Sequence, residues 1–190
     1  MANEYALKIL RQKKNPAYKV ITFKAAFAGR SAAMQELTDE PKYREGQPIF
    51  DQFKHISFFD DAQSIEKNIE LSKNSIDEIL NAEPGKFCAF AVEPVQGEGG
   101  AFRSAPRDWW AAILSHARSK ELGIWFDEVQ TFGRTGEFFA FQRLGLAEFV
   151  DERRGGCGCR PVRRQHRDRP TWDGRWRPDA HRFLQSEYQL

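Results

Sequence analysis

The chain has 190 residues, 41% of them hydrophobic and 29% charged, with a formal net charge of +2. Five Trp and 13% aromatic residues can bury a sizeable core, which excludes wholesale disorder, and the length suits one domain or a large piece of one. No apolar run approaches the ~20 residues of a membrane span, the first residues lack a secretory pattern, and three Cys make no disulfide framework, so the expectation is a cytoplasmic protein.

Residues 2–12 predict a helix, with Ala6, Leu7, Ile9 and Leu10 apolar and no Gly or Pro; Asn15-Pro16 stops it. Lys19–Phe23 is β-branched and reads as a strand. Residues 25–30 form a connector in which Gly29 is free to take unusual backbone angles. Residues 38–54 are polar, with Pro41, Gly46 and Pro48, and predict a long loop. Residues 55–59 predict a strand. Residues 60–80 are helical in character, with Ile65, Ile69, Ile76, Ile79 and Leu80 facing inward.

Phe87–Val92 is a continuous apolar run, as in a strand covered on both faces. It ends in Glu93-Pro94 and a loop over residues 95–100. Residues 106–120 predict a helix with Trp109, Trp110, Ile113, Leu114 and Ala117 on its apolar side, stopped by Gly123. Residues 124–126 are a second short buried strand, ending in Asp127-Glu128. This order of strand, loop, helix and strand implies an α/β fold with a mostly parallel sheet. Ligands on such sheets bind beyond the carboxyl ends of the strands, where Glu93 and Asp127 stand.

The balanced net charge hides an asymmetry. Residues 1–150 carry 19 Lys and Arg against 21 Asp and Glu; residues 151–190 carry ten Arg, no Lys, and six Asp and Glu. The change marks a boundary, with 1–150 as part of a large domain and 151–190 as an Arg-rich tail that is disordered or translated out of frame. A one-base shift across residues 170–176 allows Pro-Gly-x-Val-Ala-Gly, which fits a frameshift near residue 151. Two lesser readings of the tail are nucleic-acid binding, through its Arg with Trp172 and Trp176, and zinc binding through Cys157, Cys159, His166 and His181.

A carboxylate at the end of a buried strand is costly unless it is paired. Asp127 is therefore open to two readings: a helix cap or ion pair with an Arg, or a holder of a cationic ring nitrogen or a metal. Glu93 and Glu98 pose the same choice. No His-x-x-x-His or Cys-x-x-Cys pair accompanies them, so metal is the weaker option and no metal ligand is assigned.

Residues 92–100, Val-Glu-Pro-Val-Gln-Gly-Glu-Gly-Gly, and residues 126–136, Phe-Asp-Glu-Val-Gln-Thr-Phe-Gly-Arg-Thr-Gly, resemble the class III aminotransferases, which depend on pyridoxal 5'-phosphate (PLP). That family includes the ornithine, acetylornithine, 4-aminobutyrate and lysine 6-aminotransferases. Residues 1–9 are similar to the helix after the family's phosphate-binding turn, and residues 23–30 to the segment whose aromatic residue stacks on the cofactor. The resemblance covers residues 1–150 and departs at Thr131-Phe132-Gly133, where most members carry an extra Gly.

The resemblance implies the large domain of a fold type I enzyme. By position, Asp127 would pair with the PLP ring nitrogen and Gln130 with its phenolic oxygen. Val129 and Phe27 would cover the ring faces, and Glu93 would support Asp127 and Gln130. Arg30 would bind a substrate carboxylate, and Glu98 would act as a gate. The reaction implied is amino-group transfer from an amino acid, with an ω-amino acid, lysine or ornithine as candidates, to a 2-oxo acid, in a homodimeric parent without membrane or nucleic-acid partners. The Schiff-base lysine of the family follows the Asp-Glu-x-Gln motif. The last lysine here is Lys120, so no catalytic residue is assigned and the chain reads as an incomplete large domain, inactive alone. The competing class is a non-catalytic remnant or an interaction protein with a basic nucleic-acid-binding tail.

Overall fold

The computed structural model describes residues 1–150. The tail at 151–190, with its proposed frameshift, zinc and nucleic-acid readings, lies outside the described residues. In chain order the elements are α1 (Ala2–Lys14), β1 (Lys19–Phe23), α2 (Met34–Leu37), β2 (Phe53–Ile56), α3 (Ile65–Ala82), β3 (Phe87–Val92), β4 (Val95–Gln96), β5 (Arg103–Ser104), α4 (Arg107–Ser119), β6 (Gly123–Phe126) and α5 (Ala140–Arg143). None of the described helices is long and apolar enough to cross a membrane.

Four strands form a parallel sheet in the order β2-β1-β3-β6. Successive side chains on a strand point to opposite faces, so two cores form. Ile21 and Phe23 of β1, Phe90 and Val92 of β3, and Ile124 and Phe126 of β6 meet α3 and α4 on one face. Val20, Ala89, Ala91 and Trp125 meet Leu7 and Leu10 of α1 on the other. Of the α3 stripe read from sequence only Ile76 is buried, and Ile65, Ile69, Ile79 and Leu80 pack half-buried against the core. The apolar stripe read on α4 is the buried one, with Trp109, Trp110, Ile113, Leu114 and Ala117 all fully buried. Their aromatic centre is tight. The Phe23 ring lies 5.1 Å from Phe58 and 5.5 Å from Trp109, and Trp109 lies 4.8 Å from Trp110.

Four local expectations change. The predicted strand at 55–59 is instead β2, because its pairing with β1 runs from Val20↔Phe53 to Phe23↔Ile56. Phe58 and Phe59 leave the sheet there to pack on Trp109. Helix α3 starts at Ile65 rather than residue 60, since Ser64 caps it through Lys67 N–H while Asp60 N–H and carbonyl bond the Asn68 amide. The loop at 95–100 contains β4, which pairs antiparallel with β5. Gly123 is not the helix stop. The left-handed residue is Glu121, at φ 61°. Gly123 opens β6, where a Cβ would stand 2.7 Å from Leu10 Cδ2 and force the Leu10 side chain to shift. The short helix α5 and a 3-10 turn at Ala147–Phe149 had no counterpart in the sequence reading.

Removing the ring at the centre of the aromatic cluster leaves a large cavity. Trp109→Ala is expected to lower stability by about 3–5 kcal/mol, measured by urea unfolding; a loss below about 1 kcal/mol would show that the cluster does not hold α4 on the sheet.

Candidate functional site

The register between β3 and β6 builds the site. Val92 pairs with Phe126, so the next residues, Glu93 and Asp127, emerge side by side at the carboxyl edge of the sheet. The Asp127 N–H continues the ladder to Val92 O at 2.8 Å. Neither bland reading of Asp127 is realised among the described residues. It caps no helix, and no ion pair forms with it. Its Oδ1 accepts from Val129 N–H at 3.1 Å and its Oδ2 from Asn3 Nδ2 at 2.7 Å. Burial pushes its pKa up; the neighbouring Glu128 charge adds to this, while the two donors oppose it.

Glu93 is buried beneath the connector at 25–30. Its Oε1 accepts from Phe27 N–H at 3.1 Å, and its carboxyl also accepts from Gly97 N–H. Burial is the main reason its pKa is pushed up to about 8, and the nearby Asp127 charge adds to it. The connector is held from its other side: Asp39 accepts from Ala25 N–H, and Thr38 Oγ1 accepts from Ala28 N–H and donates to Gly29 O. Gly29 takes φ +121°, as its identity suggested. A narrow cleft between the connector and the strand ends is lined by Thr22, Ala28, Leu37, Glu93, Trp125 and Asp127.

Phe27 is half-buried, with its ring edge-on to Tyr43 at 5.8 Å. Arg30 is exposed. Its guanidinium stacks 4.4 Å above the Tyr43 ring and lies 6.0 Å from Phe27, and Nη2 donates to Tyr43 Oη at 3.3 Å. Gln130 is half-buried against the turn after β4. A Cβ on Gly97 would lie 2.6 Å from Gln130 Cγ, so the Gln130 side chain would have to leave its present position. Val129 is 60% exposed. Glu98 is exposed on the same turn and meets no basic partner among the described residues.

Three residues without a role in the sequence reading hold this arrangement. Asn3 reaches Asp127 from α1. Glu128 is buried and accepts from Thr131 Oγ1 and from Ala140 and Phe141 N–H, both at 3.0 Å. Gln96 is fully buried, donating to Lys24 O and accepting from Arg103 Nε. Their signal in the sequence was only that of polar residues beside an apolar run, which does not say what they bond. The set fits a cationic aromatic ring. It has a desolvated carboxylate without a counter-charge, an aromatic side chain on the adjoining connector, and a glycine cradle beside an amide donor.

The aminotransferase class-III family model matches residues 1–148. The chain belongs to the class-III aminotransferases. An acetylornithine aminotransferase of Oceanobacillus iheyensis is 32% identical over 152 residues, covering 76% of this chain and 34% of that protein. An (S)-enantioselective omega-transaminase from Thermomicrobium roseum superposes with a TM-score of 0.68 at 30% identity, covering 76% of this chain and 34% of that one. A lysine aminotransferase from M. tuberculosis superposes with a TM-score of 0.67 at 27% identity, covering 75% and 37%. The chain thus spans about a third of the length of the curated relatives it matches. The cofactor of this aminotransferase family is PLP, and the α/β fold with its parallel sheet is the one its solved relatives share.

The raised Glu93 pKa makes stability depend on pH. The folded state holds a proton that the unfolded state releases above the ordinary carboxylate range. This stabilisation is complete below about pH 4.5 and is lost as pH rises through about 8. The expected slope between these values is a loss of up to about 1.4 kcal/mol per pH unit. Unfolding midpoints from pH 5 to 9 should fall in the native chain and fall less steeply in Glu93→Gln, where the raised pKa of Asp127 leaves the remaining slope.

Proposed function

We propose that this chain supplies the cofactor-ring side of the active site of a PLP-dependent aminotransferase acting on an amino acid and a 2-oxo acid. The carrying observation is Asp127: a desolvated carboxylate, oriented at both oxygens, with no counter-charge among the described residues. When bound, PLP supplies an electron sink that stabilises the electron pair left at a substrate carbon after proton loss.

The residues of the chain prepare for that chemistry. Asp127 would hold the ring nitrogen in its protonated form, and pairing with that cation would return the carboxylate to its ionised state. Glu93, neutral at pH 7, adds no second negative charge beside it. Gln130 would donate to the phenolic oxygen, with Val129 and Phe27 against the ring faces. Arg30, pre-oriented on Tyr43, presents a planar fork suited to a substrate carboxylate. Glu98, exposed on the turn, is free to meet a distal amine or a basic gate partner. A substrate carrying both a carboxylate and a second amine fits these two charges, which is the class of ω-amino acids, lysine and ornithine. We extend the proposal to a homodimer, which would cover the exposed Phe132 and Phe138 beside the site.

The 190-residue chain carries no lysine after Lys120. On this reading it binds PLP without holding it covalently at the Asp127 site, and it does not turn over substrate. Absorbance and fluorescence titration of the purified chain should show PLP binding that weakens on the order of 30-fold in Asp127→Asn, the equivalent of about 2 kcal/mol. Equal affinity in both chains, or transamination by the clean chain, would overturn the proposal.

A further inference from the structure

Asn3 lies far from the two acidic motifs in sequence, yet it makes a shorter contact to Asp127 than the Val129 N–H does. Its Nδ2 donates to Asp127 Oδ2 at 2.7 Å and to Ala28 O at 3.0 Å. We infer that Asn3 is a positioning residue, one that aims the Asp127 carboxylate at the cofactor ring and locks the Phe27 connector to it. The inference rests on the functional reading above and extends it to a residue outside the two acidic motifs.

The chemistry fixes the amide's orientation. Ala28 O can only accept, so the NH2 end of Asn3 must face it, and the reversed amide would set oxygen against two oxygens. Both amide hydrogens are thereby used. The position of Asn3 is set by packing, because it stands in the first turn of α1, whose Leu7 and Leu10 are buried in the core under the sheet. The amide therefore ties three segments together: the start of α1, the 25–30 connector and the end of β6.

Its neutrality matters as much as its reach. A Lys or Arg at this position would orient Asp127 but cancel its charge and take the place of a cationic ring. Asn orients the carboxylate and leaves that charge available. Asp, with the same shape, would lose the donor and set a second carboxylate against the first.

The test uses the full chain. Carboxyl 13C titration of Asp127, assigned with Asp127→Asn, is compared in the native chain and in Asn3→Ala without cofactor. An upward shift of the midpoint is expected, and an unchanged midpoint overturns the inference. Should Asn3→Ala fail to fold, Asn3→Asp keeps the shape and is expected to shift the midpoint in the same direction. PLP titration then closes a double-mutant cycle. Asn3→Ala should weaken binding about ten-fold when Asp127 is present and leave it unchanged in Asp127→Asn. Equal losses in both backgrounds would overturn the inference, since Asn3 would then act independently of Asp127. A native chain with no affinity for PLP would defeat the functional reading, leaving the carboxyl titration to judge Asn3 alone.

Discussion

Two carboxyl groups emerge together from the ends of adjacent parallel strands, and the surrounding structure is organised around the cost of placing them there. The register Val92↔Phe126 leaves Glu93 and Asp127 no choice of neighbour. Like charges in a desolvated place cannot both ionise without help. Each carboxyl receives two donors that favour its ionised form, Glu93 from the Phe27 and Gly97 N–H groups and Asp127 from the Val129 N–H and Asn3, but burial outweighs them and both pKa values are pushed up, that of Glu93 to about 8. The two similar side chains differ in what they tie: Glu93 holds the connector to its strand end, while Asp127 is held by α1 and by its own turn.

The precision of this edge comes from what lies behind it. The sheet is clamped between the aromatic cluster of α3 and α4 on one face and α1 on the other. Close-packed rings in fixed rotamers transmit little slack. The strand ends therefore present Glu93 and Asp127 from a rigid base, while Arg30 and Glu98, proposed to meet substrate, are exposed. Arg30 gains order locally, by stacking on Tyr43, rather than from the core.

Much of this was legible in the sequence because burial on both faces leaves a strong mark. The runs Lys19–Phe23 and Phe87–Val92 are short, mostly apolar and bounded by polar residues, and the Trp-bearing stripe of α4 recurs at helical spacing. Glu93 and Asp127 were legible for the same reason, as charges at the ends of such runs. The start and end of β2 were not, because the length of β1 decides them and no local signal reports it. Gly123 misled for a related reason. Its meaning lies in the closeness of Leu10, more than a hundred residues away in the chain. Asn3 and Glu128 were invisible as partners, since an isolated polar residue does not disclose which backbone or side-chain atom it bonds.

Glu128 has a consequence for how this region can vary. Its carboxylate closes on Thr131 from one side and on the Ala140 and Phe141 N–H groups from the other, so it staples the two feet of the intervening excursion together. Val129 and Gln130 sit inside the staple, whereas residues 133–138 hang outside it. The outer stretch can lengthen or shorten without moving the amide that faces the cradle. The missing glycine at Thr131-Phe132-Gly133 then becomes a change in the hem of a loop whose seam is sewn elsewhere.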